Sequence, residues 1–204
     1  DRLSKICPSE NIYVVTNNIY EDLVLEQLNI NREQVLCEPA MKNTAPCIAY
    51  AAFKIHKQNP NACMLVAPSD HLILKEDEFV NCIDQSLKAV ENNDVLITLG
   101  IQPSRPDTGY GYIQFMEDHL ISDPELKKVK TFTEKPNLQL AGQFLSSGDF
   151  LWNSGIFIWS AKSIIDRFQK DLKEIYDTFI NGKHLLNTEK ETEFINKTYP
   201  TLKS

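Results

Sequence analysis

A run of apolar residues, Cys63, Met64, Leu65, Val66 and Ala67, stops at Pro68, Ser69, Asp70 and His71. A buried strand that ends this way carries a carboxylate to the edge of a sheet, where ligands bind in α/β proteins. A carboxylate delivered there is a hard oxygen ligand, so Asp70 reads as half of a metal site. The competing reading is a turn or helix-capping carboxylate. Farther along, Glu134 and Lys135 stand side by side between Phe132 and Pro136, and Asn153 and Gly155 interrupt an apolar stretch that contains Trp152, Ile156 and Phe157. A carboxylate accepts hydrogen bonds, an ammonium pairs with anions, and glycine lets a ligand approach the backbone. A solvated turn and a satisfied core asparagine are the plain alternatives.

These groups need elements to position them. Apolar runs at 12–16, 35–37, 63–67 and 95–99 alternate with segments of helical period, the pattern of a largely parallel sheet with helices on its faces. Leu23, Val24 and Leu28 mark one helix face. Ala45, Ile48, Ala49, Ala52, Phe53 and His56 form a second stripe, with Thr44 at the N-cap and Pro46 in the first turn. Phe79, Ile83, Leu87 and Val90 form a third, and Asp77 and Glu78 lie where a helix start favours negative charge. After Gly100 the pattern changes. Strands at 110–115, 129–134 and 150–159 have only a helix at 137–146 between them, which predicts a mixed sheet or an inserted β layer. Ala161, Ile164, Ile165, Phe168, Leu172, Ile175, Tyr176 and Phe179 predict one long amphipathic helix after Ser160. The Ser122-Asp123-Pro124 neighbourhood reads as a loop, and Asn181-Gly182 as a helix stop.

Composition narrows the classes. At 204 residues and 42% hydrophobic, the chain is long enough for a sizeable core in one domain. No apolar run reaches membrane-span length and the first residues do not resemble a signal peptide, so a cytoplasmic setting is expected. Cys7, Cys37, Cys47, Cys63 and Cys82 lack C-x-x-C spacing, and several sit among apolar residues as small core side chains would, so neither disulfides nor zinc are suggested. Twenty-one basic against 28 acidic residues give a net charge of −7 without a dense basic block, which argues against a nucleic-acid partner.

All seven glycines lie at position 100 or later, so no Gly-rich phosphate loop occupies an early βα turn. Gly109-Tyr110-Gly111 is no dinucleotide fingerprint either, because the third glycine position is Gln114. It reads equally as a bulged strand start or as a place of close ligand approach, with Arg105, Asp107 and Thr108 supplying polar contacts.

Five segments occur in one order: Glu38-Pro39-Ala40-Met41-Lys42-Asn43-Thr44-Ala45-Pro46; Ala67-Pro68-Ser69-Asp70-His71; Thr98-Leu99-Gly100-Ile101 with Thr108-Gly109-Tyr110-Gly111-Tyr112-Ile113; Phe132-Thr133-Glu134-Lys135-Pro136; and Trp152-Asn153-Ser154-Gly155-Ile156-Phe157. Together they resemble the sugar-nucleotide pyrophosphorylase family of nucleotidyltransferases, and within it the mannose-1-phosphate guanylyltransferase branch. The resemblance covers nearly the whole chain. It implies a Rossmann-like, mixed but mostly parallel sheet flanked by helices, of the nucleotidyltransferase or GT-A-like kind. Residues 1–204 are then a partial domain with the first strand and C-terminal part missing.

The implied reaction transfers GMP from GTP to mannose 1-phosphate, with Mg2+ or another divalent cation as cofactor. Asp70 matches the family's metal-binding and catalytic aspartate. Asn43, Thr44, Pro68 and Ser69 match the nucleotide side, and Gly109, Tyr110, Glu134, Lys135, Asn153 and Gly155 the sugar-phosphate side. His71 is not required as a general base, because the attacking phosphate is already ionised near neutral pH. GTP and mannose 1-phosphate are the expected partners, without nucleic acid or membrane, and a homo-oligomer is compatible with the resemblance. The family's Gly-rich triphosphate loop and second metal-binding aspartate lie outside the 204 residues, so the isolated chain is expected to be inactive. Any isomerase part of a bifunctional relative would lie in a further C-terminal domain. A sister enzyme with another base or sugar, and a non-catalytic regulatory or scaffold module of the same fold, remain the alternatives.

Overall fold

The computed structural model describes residues 2–118 and 126–203; the expected loop at Ser122-Asp123-Pro124 lies outside the described residues. In chain order the elements are β1 (Val14–Asn17), α1 (Glu21–Gln27), β2 (Val35–Glu38), α2 (Thr44–Gln58), β3 (Cys63–Val66), α3 (Glu76–Asn92), β4 (Ile97–Ile101), β5 (Tyr112–Met116), β6 (Lys128–Thr133), α4 (Leu138–Ser147), β7 (Phe150–Ser160), α5 (Ala161–Asp171), α6 (Lys173–Gly182) and α7 (Glu191–Thr198). They fall into two compact units. The first holds residues up to Val66, then Asp70–Ile97 and everything from Ile158 on; the second holds Ala67–Ser69 and Thr98–Phe157.

In the first unit β1 and β2 pair in parallel, with Val14 opposite Val35, as the β-α-β pattern requires. Strand β3 pairs with β7, whose residues 158–160 belong to this unit. Helix α2 carries much of the core: Ala49, Ala52 and Phe53 are fully buried, and the Phe53 and Phe179 rings stack with centroids 5.6 Å apart. That burial is what its apolar stripe encodes. Helix α3 packs on β3, and its first turn holds Glu76, Asp77 and Glu78, where the helix dipole favours them.

Four local expectations are corrected. The long helix over Ala161 to Phe179 is two helices, because Leu172 leaves helical geometry (φ −133°, ψ 56°). Its N–H still donates to the Phe168 carbonyl while its own carbonyl accepts from Tyr176, so the break leaves neither group orphaned. Thr44 is the first helical residue of α2; the N-cap is Asn43. The face expected of α1 is mostly solvated, with Leu23 and Leu28 exposed and Leu28 past the helix end. The cysteines are not core side chains: none of the five is in a disulfide, Cys82 is exposed and the others are half-buried.

In the second unit the strands follow the order β4-β7-β5-β6. Strands β5 and β6 are antiparallel, with Tyr112 opposite Thr133 and a slip between Gln114 and Phe115; β5 and β7 are also antiparallel, with Tyr112 opposite Trp152. Both of these pairings are antiparallel while β1–β2 in the first unit is parallel, so "mostly parallel" overstated the parallel share. Parallel neighbours need a crossover helix, and no helix lies between β4, β5 and β6 among the described residues. Strand β7 alternates cleanly, with Phe150, Trp152, Ser154 and Ile156 buried. Tyr112, Ala141, Phe150 and Trp152 make the core of this unit, with Phe144 stacked on Phe150 at 3.9 Å. Helix α4 begins where the Asn137 side chain accepts from the Leu140 N–H and ends at Gly148 in the left-handed region (φ 80°).

One glycine of the first unit is there for space. A Cβ on Gly182 would fall within the Phe194 ring, itself buried. Gly182→Ala is expected to cost about 1–3 kcal/mol by overpacking, read as a lower urea midpoint with unchanged slope. Among the described residues no helix is long and apolar enough to cross a membrane.

Candidate functional site

The second unit gathers most of the residues singled out for sugar and phosphate. Backbone bonds do the gathering. The Lys135 N–H donates to the Tyr110 carbonyl (3.2 Å), and the Asn153 N–H donates to the Gly111 carbonyl (2.8 Å). A Cβ on Gly111 would stand 2.7 Å from Glu134 Oε2, so the carboxylate of Glu134 lies against the bare face of that glycine. Asn153 Oδ1 accepts from the Gly155 N–H (3.1 Å) and from Thr98 Oγ1 (3.2 Å). With its carbonyl end occupied, its amide Nδ2 is the end left to donate elsewhere. Gly155 has φ 72°, and a Cβ there would press on Pro68 at 3.3 Å, which brings Pro68 and the exposed Ser69 to the same set.

Glu134 and Lys135 are 3.8 Å apart with side chains 70% and 65% exposed. Such a pair contributes little to stability, and both groups stay open to a ligand. Lys135 holds φ 44°, which costs a residue with a Cβ about 1–3 kcal/mol and persists only where the surroundings over-determine it. Here the Tyr110 carbonyl does so. The ring of Tyr110 tilts over Trp152 at 5.1 Å while its edge stays in solvent. Gly109 and Gly111 precede β5 in an irregular turn, and the strand's one irregularity lies farther on, at Gln114 and Phe115.

The first unit holds the other members. Asn43 sits at φ 62°, ψ −168° directly before α2, again a conformation that glycine adopts more readily. Of the three non-glycine residues with positive φ among those described, Asn43 and Lys135 are both candidate ligand residues. Neither α2 nor α6 has a side-chain cap at its N-terminus, so their first amides stay unpaired by side chains. Lys42, Asn43, Pro46, Leu172, Lys173 and Lys203 line a cavity of about 360 Å³ beside them.

Asp70 occupies an exposed turn after β3 and makes no hydrogen bond or ion pair among the described residues. His71 accepts, through its carbonyl, from Arg2 Nη2 (2.9 Å). Among the described residues no three His, Cys, Asp or Glu side chains converge as a ready cage. A lone, unengaged carboxylate fits a magnesium ion that draws its other ligands from phosphate and water, and does not fit zinc.

Sequence reasoning missed the residues that hold this set in place. Ser154 Oγ donates to the Leu99 carbonyl (2.7 Å) and accepts from the Ile156 N–H (3.1 Å), and Thr98 Oγ1 reaches both Asn153 and the Ile156 carbonyl. Polar residues inside apolar strands were the available signal.

A β-α-β first half followed by a second unit built on antiparallel strands, with a polar set beside β5 and β6 and within β7, defines an α/β class. The chain belongs to the nucleotidyl transferase family, whose profile matches residues 4–199. It is 37% identical over 182 residues to the mannose-1-phosphate guanylyltransferase of Escherichia coli, an alignment covering 84% of this chain and 39% of that protein. With the alginate biosynthesis protein AlgA of Pseudomonas aeruginosa it shares 32% identity over 173 residues, 85% of this chain and 34% of that one. The chain thus spans little more than a third of these curated relatives. Among solved structures it resembles mannose-1-phosphate geranyltransferase from Thermus thermophilus (TM-score 0.85, 20% identity, 99% of this chain and 56% of that chain). It also resembles mannose-6-phosphate isomerase from Helicobacter pylori (TM-score 0.73, 28% identity, 94% and 72%).

Proposed function

We propose that this chain carries substrate-binding residues of a mannose-1-phosphate guanylyltransferase. The observation that carries the reading is the tie of Glu134, Lys135 and Asn153 to the backbone of residues 110–111. It holds the backbones of Lys135 and Asn153 beside the Glu134 carboxylate and so offers one carboxylate, one ammonium and one amide donor, the complement of a sugar phosphate.

A phosphate oxygen of mannose 1-phosphate attacks the α-phosphorus of GTP, the bond to the β-phosphate oxygen breaks, and pyrophosphate leaves. The attacking oxygen is ionised at neutral pH, so no side chain has to remove a proton. The work left to the protein is positioning and charge neutralisation. Lys135 pairs with the sugar phosphate, Glu134 accepts from sugar hydroxyls, and Asn153 donates through Nδ2. Gly109, Tyr110 and Gly155 bring backbone close to the sugar. Asn43 and Thr44 face the base, and Pro68 and Ser69 contact the nucleotide. Asp70 would hold magnesium, whose chemistry when bound is to neutralise charge on the reacting phosphates. A GTP-consuming, membrane-free reaction fits the cytoplasm.

The test is pyrophosphate release by the full-length protein and by the 204-residue chain, with GTP, UTP, dTTP or ATP paired with mannose 1-phosphate or glucose 1-phosphate. In the full-length protein GTP with mannose 1-phosphate is expected to lead by about tenfold or more, and the 204-residue chain is expected to release no pyrophosphate. Another best pair would make this a sister enzyme, and binding without turnover in the full-length protein would make it a non-catalytic module.

Gly111→Ala probes the sugar side alone. The added methyl displaces the Glu134 carboxylate and is expected to weaken mannose 1-phosphate binding about tenfold, the worth of one charge-assisted hydrogen bond, while leaving GTP binding unchanged. Titration calorimetry with each ligand checks it.

A further inference from the structure

The sequence offers Asp107 as a polar contact for a closely approaching ligand, yet its carboxylate is already engaged within the protein, and it is the most heavily bonded group of the loop before β5. Its Oδ2 accepts from Arg105 Nε (3.1 Å) and Nη2 (2.7 Å), and its Oδ1 accepts from the Gly109 N–H (2.8 Å). Its backbone is held as well. The Asp107 N–H donates to Tyr112 Oη (3.0 Å), and that hydroxyl donates to the Asp107 carbonyl (3.0 Å). Tyr112 is fully buried in the core of the second unit, so Asp107 is anchored to the least mobile part of that unit. Arg105, the carboxylate's other partner, sits over the face of the buried Trp152 ring, 5.4 Å from its centroid.

From Gly109 the chain runs directly into the two carbonyls that hold the candidate ligand groups: Tyr110 to Lys135, and Gly111 to Asn153. A loop with two glycines in three residues has little stiffness of its own. Without a brace these carbonyls would wander, and Lys135 would lose what keeps it at positive φ.

We propose that Asp107 is a positioning residue for the sugar-phosphate set. It fixes residues 109–111 from the core side, so that Glu134, Lys135 and Asn153 meet the ligand preorganised. Resting on the sugar-phosphate reading of that set, the proposal extends it to a residue that touches no ligand. The Gly109 amide and the Arg105 guanidinium hold the Asp107 carboxyl below the ordinary aspartate range, so the brace is intact at neutral pH.

The experiment measures the brace and its consequence separately, in the full 204-residue chain. Amide hydrogen exchange is followed at Gly109, Lys135 and Asn153, with Leu36 in β2 as the reference, and affinity for α-D-mannose 1-phosphate is measured by calorimetry. In Asp107→Ala the three amides are expected to exchange at least ~10-fold faster with Leu36 unchanged, and mannose 1-phosphate to bind ~10-fold more weakly. Asp107→Asn keeps an acceptor for Gly109 and is expected to restore both within ~3-fold. If Asp107→Ala does not fold, Tyr112→Phe cuts the same brace at the core and carries the same expected values. Unchanged protection overturns the proposal, as does lost protection with affinity within ~2-fold of the unsubstituted chain, or failure of asparagine to rescue. If the unsubstituted chain binds no hexose 1-phosphate, the sugar reading falls and takes the positioning role with it, while the exchange data still report whether the brace exists.

Discussion

In the full-length protein, Asp70→Asn is expected to lower the rate of pyrophosphate release from GTP and mannose 1-phosphate by roughly 10²–10³-fold, the usual loss when one charge-stabilising group of an active site is removed. Asparagine keeps the size and one carbonyl oxygen of the side chain and removes only its charge. Because Asp70 is exposed and makes no hydrogen bond or ion pair among the described residues, no protein group is orphaned by the change. The unfolding free energy should therefore stay within about 0.5 kcal/mol of the original. A magnesium titration separates causes. If Asp70 holds the ion, the half-saturating magnesium concentration rises along with the loss of rate. A variant that keeps its rate within about threefold, with an unmoved magnesium midpoint, removes Asp70 from the site.

The second large effect is on stability. Lys54 in α2 and Glu191 at the start of α7 are each about 10% exposed, with Nζ 2.7 Å from both carboxylate oxygens. The same carboxylate accepts from Tyr50 Oη (2.6 Å) and from the Asn187 N–H (2.5 Å), and Asn187 Nδ2 donates to the Lys54 carbonyl (3.0 Å). Burial, then the neighbouring Glu191, pushes the Tyr50 hydroxyl far above its ordinary pKa, so it stays a donor. Lys54→Met leaves Glu191 buried with its charge unbalanced and is expected to cost about 3–5 kcal/mol, a large share of a domain's stability. Replacing both partners, Lys54→Met with Glu191→Leu, is expected to recover much of that loss, because no buried charge remains. Urea unfolding of the two variants checks both statements. A loss below about 1 kcal/mol for Lys54→Met would mean that water reaches the pair.

The two variants contrast what is legible in a sequence with what is not. Asp70 was found from its place after an apolar run, and β3 does end four residues before it. Strands β1 to β3 and β7 fall within about two residues of their expected bounds, and α4 begins at the Asn137 cap, because period and capping are local properties. The Lys54–Glu191 pair left no such trace. Its members are 137 positions apart, each looks like an ordinary surface charge, and only the packing of α2 against the C-terminal helices buries them.

The same divide runs through the candidate site. Glu134, Lys135, Asn153 and Gly155 were legible as residue types, as was Asn43 before a helix, because the chemistry of a side chain is written in its identity. The strained backbone at Asn43 and Lys135 was not, since neither is glycine, and at Lys135 it goes with the long-range bond of its N–H to the Tyr110 carbonyl. Nor was the break at Leu172, where no glycine or proline interrupts the helical stripe. Thr98 and Ser154 looked like strand residues until their hydroxyls met Asn153 and Leu99.

By itself, the sequence determined most of the strands and helices before Leu172, the family motifs and the chemical groups on offer, since periodicity, caps and side-chain chemistry depend on near neighbours. Only the tertiary structure decided the antiparallel register of β5 with β6 and β7, the brace from Tyr112 through Asp107 to Gly109, and which end of Asn153 remains free. The register and the Asn153–Thr98 bond join residues far apart in sequence; the brace, though short in sequence, exists only because the core buries Tyr112 and turns its hydroxyl back on the loop.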